Sequence, residues 1–455
     1  MLNDRKLIMH LMGKSGFGAT PEELDKYVLK GYDNVVEDIL NPVHSSSLPE
    51  DIIYRYHVDI AESRLPTPTA AKWMYRLVTT DSPLEEKIAL FWHGLFASNF
   101  ADVQQMTMLY EQVDMFRKLG LGNFRDLLLE LSKDTAMGQM LDNIDNHADA
   151  INENWGRELL ELFSMGIGNY TEDDVKEASR AFTGWTRDNL EYTPFWPYGR
   201  VAWHHKFDDN DHDFNTKTFL GETGNFDGDQ IIDIIVKQKA TAEFISTRLY
   251  QYFCSDQIDS DGQLAINEMM EAYFTSGYEI RSVLRSLFKS DHFKSDKCTY
   301  SKVKSPIELV VGTVRFSEAY SKPTLAIKDL VDQATFMGQT LFQPPSVEGW
   351  HEGVEWIDSG TLIERVNFAS SEMSDLNKPG VKKLVARIKN ELPNSISNED
   401  LLNKCSEMIG CNLSNTTKEL LLDSIDNSPN KNHKFDDQIG QILGFIAATK
   451  EYQLI

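Results

Sequence analysis

Four polar residues recur at helical spacing before the middle of the chain: Asn154, Arg157, Glu158 and Glu161. At 100° per residue they share one face of a predicted short helix. A carboxylate beside a guanidinium can bind a cation or a substrate, and two acids three residues apart can supply oxygen ligands to a metal ion. The same pattern is typical of a solvated helix face with an Arg157–Glu161 ion pair, and periodicity alone favours this plainer interpretation.

A second polar cluster occupies residues 204–221, with the sequence HHKFDDNDHDFNTKTFLG. Histidine and aspartate at short spacing are the ingredients of a metal site or of a general acid/base pair. If residues 203–207 form a strand, His204 and His205 point to opposite faces, so at most one of them lines a given site. A polar loop held by Asx turns explains the same residues equally well, and both interpretations remain open.

Two windows resemble calcium-binding loops in part. The aspartates of DNDHDF at residues 209–214 have the spacing of the first ligands of an EF-hand loop. Phe214 and Leu220, however, occupy the positions of the required glycine and glutamate. The window 257–268 fits better and lies between two predicted helices, but it begins with glutamine where a carboxylate is expected. An acidic loop that connects two helices is the alternative interpretation of this window.

Two aromatic side chains are further candidates for a binding site. His93 follows an apolar run in FWHGLFASNF, and a single histidine in this setting is more often a hydrogen-bonded core residue than a ligand. Trp350 lies in PPSVEGWHEG beside Glu348, His351 and Glu352. A tryptophan held by a rigid Pro-Pro entry suits a platform for a sugar or a peptide, and it suits a structural plug equally well.

Several familiar catalytic motifs are absent from the sequence. It contains no Walker A loop, no GxGxxG after a strand, no HExxH and no GxSxG, so nucleotide-binding, zincin and α/β-hydrolase interpretations lose support. The four cysteines show neither a CxxC pair nor metal-finger spacing, which predicts scattered, buried thiols and no structural zinc site. They are Cys254, Cys298, Cys405 and Cys411.

The chain of 455 residues is strongly acidic, with a formal net charge of −25. Such a surface repels phosphate backbones and anionic headgroups, so we expect no nucleic-acid partner. The N-terminal apolar run is short and broken by charges, unlike a signal peptide, and no apolar stretch reaches the ~18 residues of a membrane span. We therefore expect no transmembrane segment and, for the sequence as written, a cytoplasmic location.

Helical periodicity dominates the chain and predicts a mostly α, multi-helical fold. Helix starts are well marked at Thr20-Pro21 and Ser305-Pro306, where a capping side chain precedes proline. An aromatic stretch punctuated by proline and glycine predicts a small β hairpin or an irregular insert near residues 190–210.

The length of the chain suits two or three lobes. DLNKPG at residues 375–380 is typical of a linker. We predict a main helical domain over residues 1–375, with candidate lobes at 1–190 and 210–375 joined by the β insert. A C-terminal helical tail, residues 376–455, is expected to pack on it.

Motifs along nearly the whole chain resemble a large bacterial family known as domain of unknown function 1800. The most specific of them are NEN-x-x-RELLEL and PP-x-V-x-GW, and the likeness is weakest from residue 376 to residue 440. The resembling segments are HLMGKSGFGATPEEL, PLEEKIALFWHGLFASNF, NENWGRELLELFSMGIGNYTEDDVKEASRAFTGW, HDFNTKTFLG, VKSPIELVVGTVR, MGQTLFQPPSVEGWHEGVEWIDSGTLIERVNFAS and the closing KEYQLI.

The resemblance implies a mostly helical fold but brings no established activity. Members of the family often carry export signals and are often encoded beside alkaline-phosphatase-like or sulfatase-like proteins. This association implies work on envelope or extracellular polymers, or a partnership with that neighbour. Phe163 departs from the family, which often has histidine there, so a catalytic role of that histidine would pass to His93 or His212 in this chain. The family pattern includes Asn152, Glu153, Arg157, Glu158, His212, Asp213, Lys217 and Trp350 at their positions here.

One hypothesis is a hydrolase or transferase that acts on an anionic envelope or extracellular polymer. Glu158 or Glu161 would join His212 and Asp213 in an acid/base centre, or His212 and Asp213 would bind a divalent metal ion. The cofactor itself stays unknown. Substrate-binding roles would fall to a second set, in which the two cations hold an anionic group: Arg157, Lys217, Asn152, Trp350 and His93.

The alternative hypothesis is a non-catalytic assembly or binding partner of a phosphatase- or sulfatase-like protein. The same residues would then brace a buried polar network. Glu158, His212 and Lys217 around one open cleft would favour the enzyme, whereas the same groups fully paired and dry would favour the binding partner.

Overall fold

α-Helices make up most of the chain in the computed structural model, which confirms the predicted mostly α, multi-helical fold. None of the described helices is long and apolar enough to cross a bilayer. The structure describes residues 2–42, 65–189, 203–324, 326–393, 396–427 and 434–455.

The helices fall on both sides of a short β region. Before it lie α1 (Leu2–Ser15), α2 (Pro21–Lys30), α3 (Tyr32–Leu40), α4 (Pro66–Thr79), α5 (Pro83–Leu95), α6 (Phe100–Val103), α7 (Met106–Leu119), α8 (Phe124–Lys133), α9 (Thr135–Met140), α10 (Asn154–Glu161) and α11 (Glu172–Ala181). After it lie α12 (Gly228–Ile235), α13 (Lys239–Phe253), α14 (Ser260–Thr275), α15 (Ile280–Lys289), α16 (Pro306–Ser317), α17 (Ile327–Phe336), α18 (Ser359–Ser374), α19 (Pro379–Glu391), α20 (Asn398–Ile409), α21 (Asn415–Asp426) and α22 (Phe435–Ala447).

Two of the predicted helix starts are reciprocal capping boxes. The Thr20 hydroxyl accepts a hydrogen bond from the Glu23 backbone N–H, and the Glu23 carboxylate accepts one from the Thr20 N–H. Ser305 and Glu308 repeat the arrangement at the start of α16. Because each box satisfies two otherwise unpaired backbone donors, it fixes the helix start and the position of its glutamate.

The predicted hairpin is present, with a first strand that begins earlier than expected. Strand β1 (Trp185–Asp188) pairs antiparallel with β2 (His204–Phe207). Residues 190–202, where we expected the insert to begin, lie outside the described residues. Gly184 precedes β1 at a φ of 75°, and a Cβ there would stand 2.6 Å from the Asp208 carbonyl oxygen. The glycine therefore allows the backbone at the start of β1 to approach the backbone at Asp208.

The two histidines of β2 lie on opposite faces, as the strand prediction required. His204 is exposed, whereas His205 is half-buried with its ring 5.0 Å from that of Trp185. Only one of the two can therefore face any single site.

A second hairpin was not predicted from the sequence. Strand β3 (Lys217–Phe219) pairs with β4 (Glu222–Gly224) through a two-residue turn at Leu220 and Gly221, whose φ angles are 48° and 84°. Positive φ at both positions gives a turn that matches strand twist, but leucine seldom adopts it. The Leu220 N–H donates to Asp174 Oδ1 at 2.7 Å, a tertiary contact that holds the turn.

One buried apolar cluster extends from Ile8 to Tyr452. Helix α18 packs against both α16 and α22. The end of the chain pairs with its middle, since Val303 bridges Leu454 and the Lys304 N–H donates to the Gln453 carbonyl at 2.9 Å. The division of the chain at residue 375 stays a prediction.

Helices α10 and α11 are in close contact at Gly156. A Cβ at this position would stand 2.2 Å from Ser179 Oγ and 3.0 Å from the Val175 carbonyl oxygen. The glycine in the NENWGRELLEL motif is therefore a packing requirement.

We expect Gly156→Ala to lower the free energy of unfolding by about 1–3 kcal/mol, because the added methyl group overpacks the contact between α10 and α11. Urea denaturation measures the change. Gly138→Ala is the matched control, since a Cβ there would meet only Ile144 at an ordinary 3.5 Å. Equal destabilisation by both variants would contradict the packing explanation.

Candidate functional site

Arg157 is held by carboxylates other than the one expected. Its guanidinium binds both carboxylate oxygens of Glu172, at 2.9 and 2.8 Å, and Glu153 at 3.2 Å. The predicted Arg157–Glu161 pair is wrong, because Glu172 at the start of α11 lies across from α10 and offers a two-oxygen contact. The predicted substrate-binding cation is thus already paired.

Glu158 and Glu161 are half-buried on α10. Glu161 accepts a hydrogen bond from the Tyr170 hydroxyl at 2.9 Å. Burial raises the pKa of Glu158, and the carboxylates of Glu161 and Glu348 add to the effect. The influence of Glu348 shows that α10 lies beside the segment that carries Trp350.

Asn152 helps to start helix α10. Its backbone N–H donates to Asn146 Oδ1 at 3.0 Å, and its own Oδ1 accepts from the Asn154 N–H at 3.0 Å. This is an Asx-type turn. Its side-chain oxygen is therefore already used locally, and a substrate-binding role for Asn152 stays a prediction.

His212 is buried in what we call the His212 loop, residues 208–217. Its Nδ1 lies 2.7 Å from the Thr183 carbonyl oxygen. Its ring meets those of Phe207 and Phe214 edge-on, with centroids 5.1 and 4.7 Å away. The imidazole thus joins this loop to the end of α11.

Asp213 and Lys217 of the His212 loop bind an arginine of α11 and the loop backbone, respectively. Asp213 pairs with Arg180 at 2.7 Å and accepts from the Asn215 N–H at 2.8 Å. Burial raises the pKa of Asp213, but the Arg180 and Asn215 hydrogen bonds outweigh it and lower the pKa to about 2. Lys217 is buried, and its ammonium donates to the carbonyl oxygens of Asp213 and Asn215 at 2.5 and 3.2 Å.

The buried polar groups of this loop, on His212 and Lys217, are therefore paired, the arrangement expected of a bracing network. Across the described ranges, no hydrogen bond, ion pair or ring contact joins His212 to Glu158, Glu161 or Trp350, so the predicted site residues are not brought into one cleft. The described residues also gather no set of three potential metal ligands at His212. A metal ion at His212 and Asp213 stays a prediction.

Neither calcium-like window forms a calcium loop. In the first, Asp211 pairs with His147 at 2.5 Å. In the second, residues 257–268, helix α14 already begins at Ser260, and Asp259 caps it by accepting from the Gly262 N–H at 2.8 Å. The helix start explains why the acids occur at that spacing.

His93 is a core histidine, as its setting favoured. Its Nε2 accepts from the Phe342 N–H at 3.1 Å, and Nδ1 meets no hydrogen-bond partner among the described residues. The ring lies 5.4 Å from each of Trp73 and Trp350, edge-on to both. Burial lowers the pKa of His93 to about 3, so it is neutral and supports Trp350 from beneath.

The segment with Trp350, which we call the Pro344 loop (residues 344–358), docks on the end of α5. Gly349 has a φ of 82°, and a Cβ there would stand 2.0 Å from the Gly94 carbonyl oxygen. Trp350 itself lies 3.9 Å from the position of a Cβ on Gly94. Gly349 thus lets the loop backbone approach the helix, and this explains the glycine of the GW pair.

A cavity of about 460 Å³ opens between α5, α13 and the Pro344 loop, and we call it the Trp350 pocket. A smaller cavity of about 30 Å³ adjoins it and shares five of its residues. The pocket is lined by Leu95, Leu162, Phe244, Arg248, Gln251, Asp256, Gln257, Glu348, Trp350, His351, Glu352, Gly353 and Val354.

Two polar side chains of α13 face this pocket without partners. Arg248 and Gln251 are half-buried and line both cavities. Within the described ranges, neither side chain makes a hydrogen bond or an ion pair. Sequence reasoning missed both, since an Arg-x-x-Gln pair on a helix looks like any amphipathic pattern. Their free donors make this pocket the stronger candidate site.

Asp256 is the most enclosed carboxylate of the pocket. Its Oδ2 accepts from the Val303 N–H at 2.8 Å, and a Cβ on Gly353 would lie 3.3 Å from its Cγ. Burial raises the pKa of Asp256, and the charge of Lys302 only partly offsets this. A carboxyl group in this setting is suited to donate a proton.

Buried charges lie behind the pocket. Lys87 binds Glu308 at 2.6 Å, and Lys302 lies 4.0 Å from the same carboxylate. Both ammonium groups stand over the ring of Tyr252, which lines the smaller cavity. Burial raises the pKa of Glu308, but the two lysines outweigh it and lower the pKa to about 2. A fixed ionic cluster thus lies behind Tyr252 and supports this side of the smaller cavity.

The buried state of His93 predicts a pH dependence of stability. Its pKa is about 3 in the folded protein, against 6.5 for an unperturbed histidine, so between these values the unfolded chain binds more protons. The free energy of unfolding should therefore fall as pH falls below 6.5, by about 1 kcal/mol per pH unit from this group. His93→Gln should show a shallower decline in urea titrations from pH 7 to pH 4.

His351→Gln provides the control for removal of a histidine, since His351 is exposed and lies outside the core. Parallel curves for wild type and His93→Gln would show that His93 is not buried in its neutral form.

Comparison with known proteins places the chain in a family. The family described as "Protein of unknown function (DUF1800)" matches residues 10–454, which include the whole Trp350 pocket and the His212 loop. No curated protein and no solved structure matches the chain. The chain therefore belongs to the DUF1800 family.

Proposed function

We propose that the protein is a hydrolase or transferase that acts on a saccharide-containing polymer in the Trp350 pocket. The observation that carries the proposal is the pair Arg248 and Gln251, which offer unused hydrogen-bond donors beside the half-exposed ring of Trp350. An aromatic face with convergent polar groups in a concave cavity is typical of small-molecule and sugar sites.

The charges of the pocket favour a neutral or amine-bearing sugar over the polyanion expected from the sequence. Even with Asp256 protonated, the two carboxylates of Glu348 and Glu352 line the pocket against the single guanidinium of Arg248. Such a lining repels a dense row of sulfates or carboxylates. The two cations first assigned to an anionic group, at positions 157 and 217, are already engaged.

Two carboxylates are what glycoside hydrolysis or transfer requires. Asp256 is half-buried, and burial favours its protonated form, so we assign it the proton transfer to the leaving oxygen. Glu352 is exposed at the edge of the pocket and supplies the second carboxylate, as base or nucleophile. Arg248 and Gln251 would orient sugar hydroxyl groups, and Trp350 would stack on a ring.

Arg248→Ala should weaken binding of neutral oligosaccharides at least tenfold, measured by calorimetry with chitohexaose, cellohexaose and chitosan oligomers. Because Arg248 has no partner among the described residues, its removal breaks no ion pair and should leave the fold intact. Arg157→Ala is the matched control and should keep wild-type affinity, although it loses its contacts with Glu172.

Two outcomes would contradict this assignment. Exclusive binding of oligogalacturonate or chondroitin sulfate would overturn the charge argument. Loss of affinity in Arg157→Ala with full affinity in Arg248→Ala would move the site back to α10.

Asp256→Asn and Glu352→Gln should each lower the release of reducing ends about 100-fold or more while leaving binding within a few fold, because each removes a carboxylate that moves a proton or attacks. Glu355→Gln is the control, since Glu355 does not line the pocket and pairs with His351 at 3.6 Å. Unchanged turnover in both pocket variants would exclude the two-carboxylate scheme.

The paired state of the His212 loop supports a second candidate function, a non-catalytic partnership with a phosphatase- or sulfatase-like protein. On this proposal the loop braces a docking surface, and no chemistry occurs in it. Size-exclusion chromatography of the two co-expressed proteins tests it: a stable complex supports the partnership, and separate elution at micromolar concentration excludes it.

A further inference from the structure

Two cysteines that are 44 residues apart in the sequence meet in the fold. Cys254 directly follows the last residue of α13, and Cys298 lies in the turn region after α15. Their sulfur atoms are 3.2 Å apart and both side chains are buried. The imidazole of His292 joins them, and one ligand atom from each of the three residues lies within 4.8 Å of the other two. This cluster was not expected, because no spacing in the sequence links the two cysteines.

The backbone around the cluster is fixed by hydrogen bonds. The Ser301 hydroxyl lies 3.0 Å from the Cys254 carbonyl oxygen and 2.7 Å from that of Cys298. The buried Lys14 ammonium donates to the Cys254 carbonyl at 2.5 Å. The two cysteines are therefore held in place by residues from two separate parts of the chain, Lys14 and Ser301.

His292 is oriented by a neighbour as metal-binding histidines usually are. Its Nε2 lies 2.7 Å from the Tyr250 hydroxyl, and the two rings are nearly parallel at 19°. Helix α14 lies against the same hydroxyl at Gly262. A Cβ on this glycine would stand 2.5 Å from the Tyr250 oxygen, so the absence of a side chain leaves room for it. A hydrogen bond to the ring of this kind fixes the direction of a ligand imidazole.

We propose that Cys254, His292 and Cys298 bind a thiophilic d¹⁰ metal ion, Zn²⁺ or Cu⁺. Two thiolates and an imidazole are the protein ligands that such ions prefer, with a fourth position left for water. At a zinc–sulfur distance of about 2.3 Å, tetrahedral sulfurs lie roughly 3.8 Å apart, so binding moves the thiols apart by about half an ångström.

The charges near the cluster suit this class of ion. Two thiolates neutralise Zn²⁺, and with a monovalent ion the ammonium of Lys14 supplies the remaining positive charge. The acids nearby, Asp259 and the half-buried Asp261, pair with Lys297. They are therefore less suited than the buried thiols to take part in the site.

The test uses the full chain, reduced and stripped of metal with a chelator. Addition of Zn²⁺ or Cu⁺ should give one bound ion per chain and a higher melting temperature, since a ligand that binds only the folded state stabilises it. Co²⁺ in the same site should give thiolate-to-cobalt charge-transfer absorption. Cys298→Ser should lower the metal affinity at least 100-fold.

His292→Gln is the second variant and tests the site even if the serine variant fails to fold. Because His292 is only half-buried, its replacement should perturb the fold less. It should lower the affinity at least tenfold. The matched control is the double variant Cys405→Ser, Cys411→Ser, which removes two buried thiols outside the cluster and should bind like wild type.

The proposal is overturned if the reduced wild-type protein binds neither ion, or if Cys298→Ser binds as tightly as wild type. Formation of a Cys254–Cys298 disulfide in air, with no metal uptake after the disulfide is reduced again, would also overturn the proposal. The two cysteines would then be a redox pair.

Discussion

The buried ion pair between Lys87 and Glu308 joins three segments that are far apart in the sequence. Both side chains are about 1% exposed, and their atoms are 2.6 Å apart. The Lys87 ammonium also donates to the carbonyl oxygens of Gly13 and Gly16, so helix α5, the turn after α1 and the start of α16 meet at one charge. Removal of one partner would leave a buried charge uncompensated, at a cost of about 3–5 kcal/mol.

The same ion pair sets the geometry of the Trp350 pocket. Glu308 belongs to the capping box of α16 and therefore cannot shift without releasing backbone donors. Lys302, which faces the same carboxylate, lies in the segment whose backbone pairs with the end of the chain. The ionic cluster therefore forms a rigid support for Tyr252. The Pro344 loop docks beside it through the contact of Gly349 with α5. Preorganisation of this kind suits a binding site.

Local signals allowed much of the fold to be predicted. The capping boxes at Thr20 and Ser305 are encoded within four residues, and the core role of His93 follows from its apolar flanks. The partner of Arg157 was not predictable in this way, because Glu172 competes with a glutamate on the same helix and wins through the packing of α10 on α11.

The candidate site was mostly beyond the reach of the sequence. Conspicuous polar residues such as His212, Asp213 and Lys217 turned out to be satisfied by Thr183, Arg180 and backbone carbonyls, whereas the unremarked Arg248 stays free for a ligand. A sequence pattern records which polar groups exist but not which of them are satisfied by distant partners. Trp350 is the exception, because its Pro-Pro entry made it a candidate for a binding platform from the sequence, with a structural plug as the equal alternative.

The central claim is that ligands enter the Trp350 pocket and leave the His212 loop untouched. Hydrogen-exchange mass spectrometry of the full chain, with and without a saturating neutral oligosaccharide, tests it most directly. We predict slower exchange in peptides that cover residues 244–257 and 344–356, with no change in residues 204–219. Protection confined to residues 152–180 and 204–219 would contradict the account.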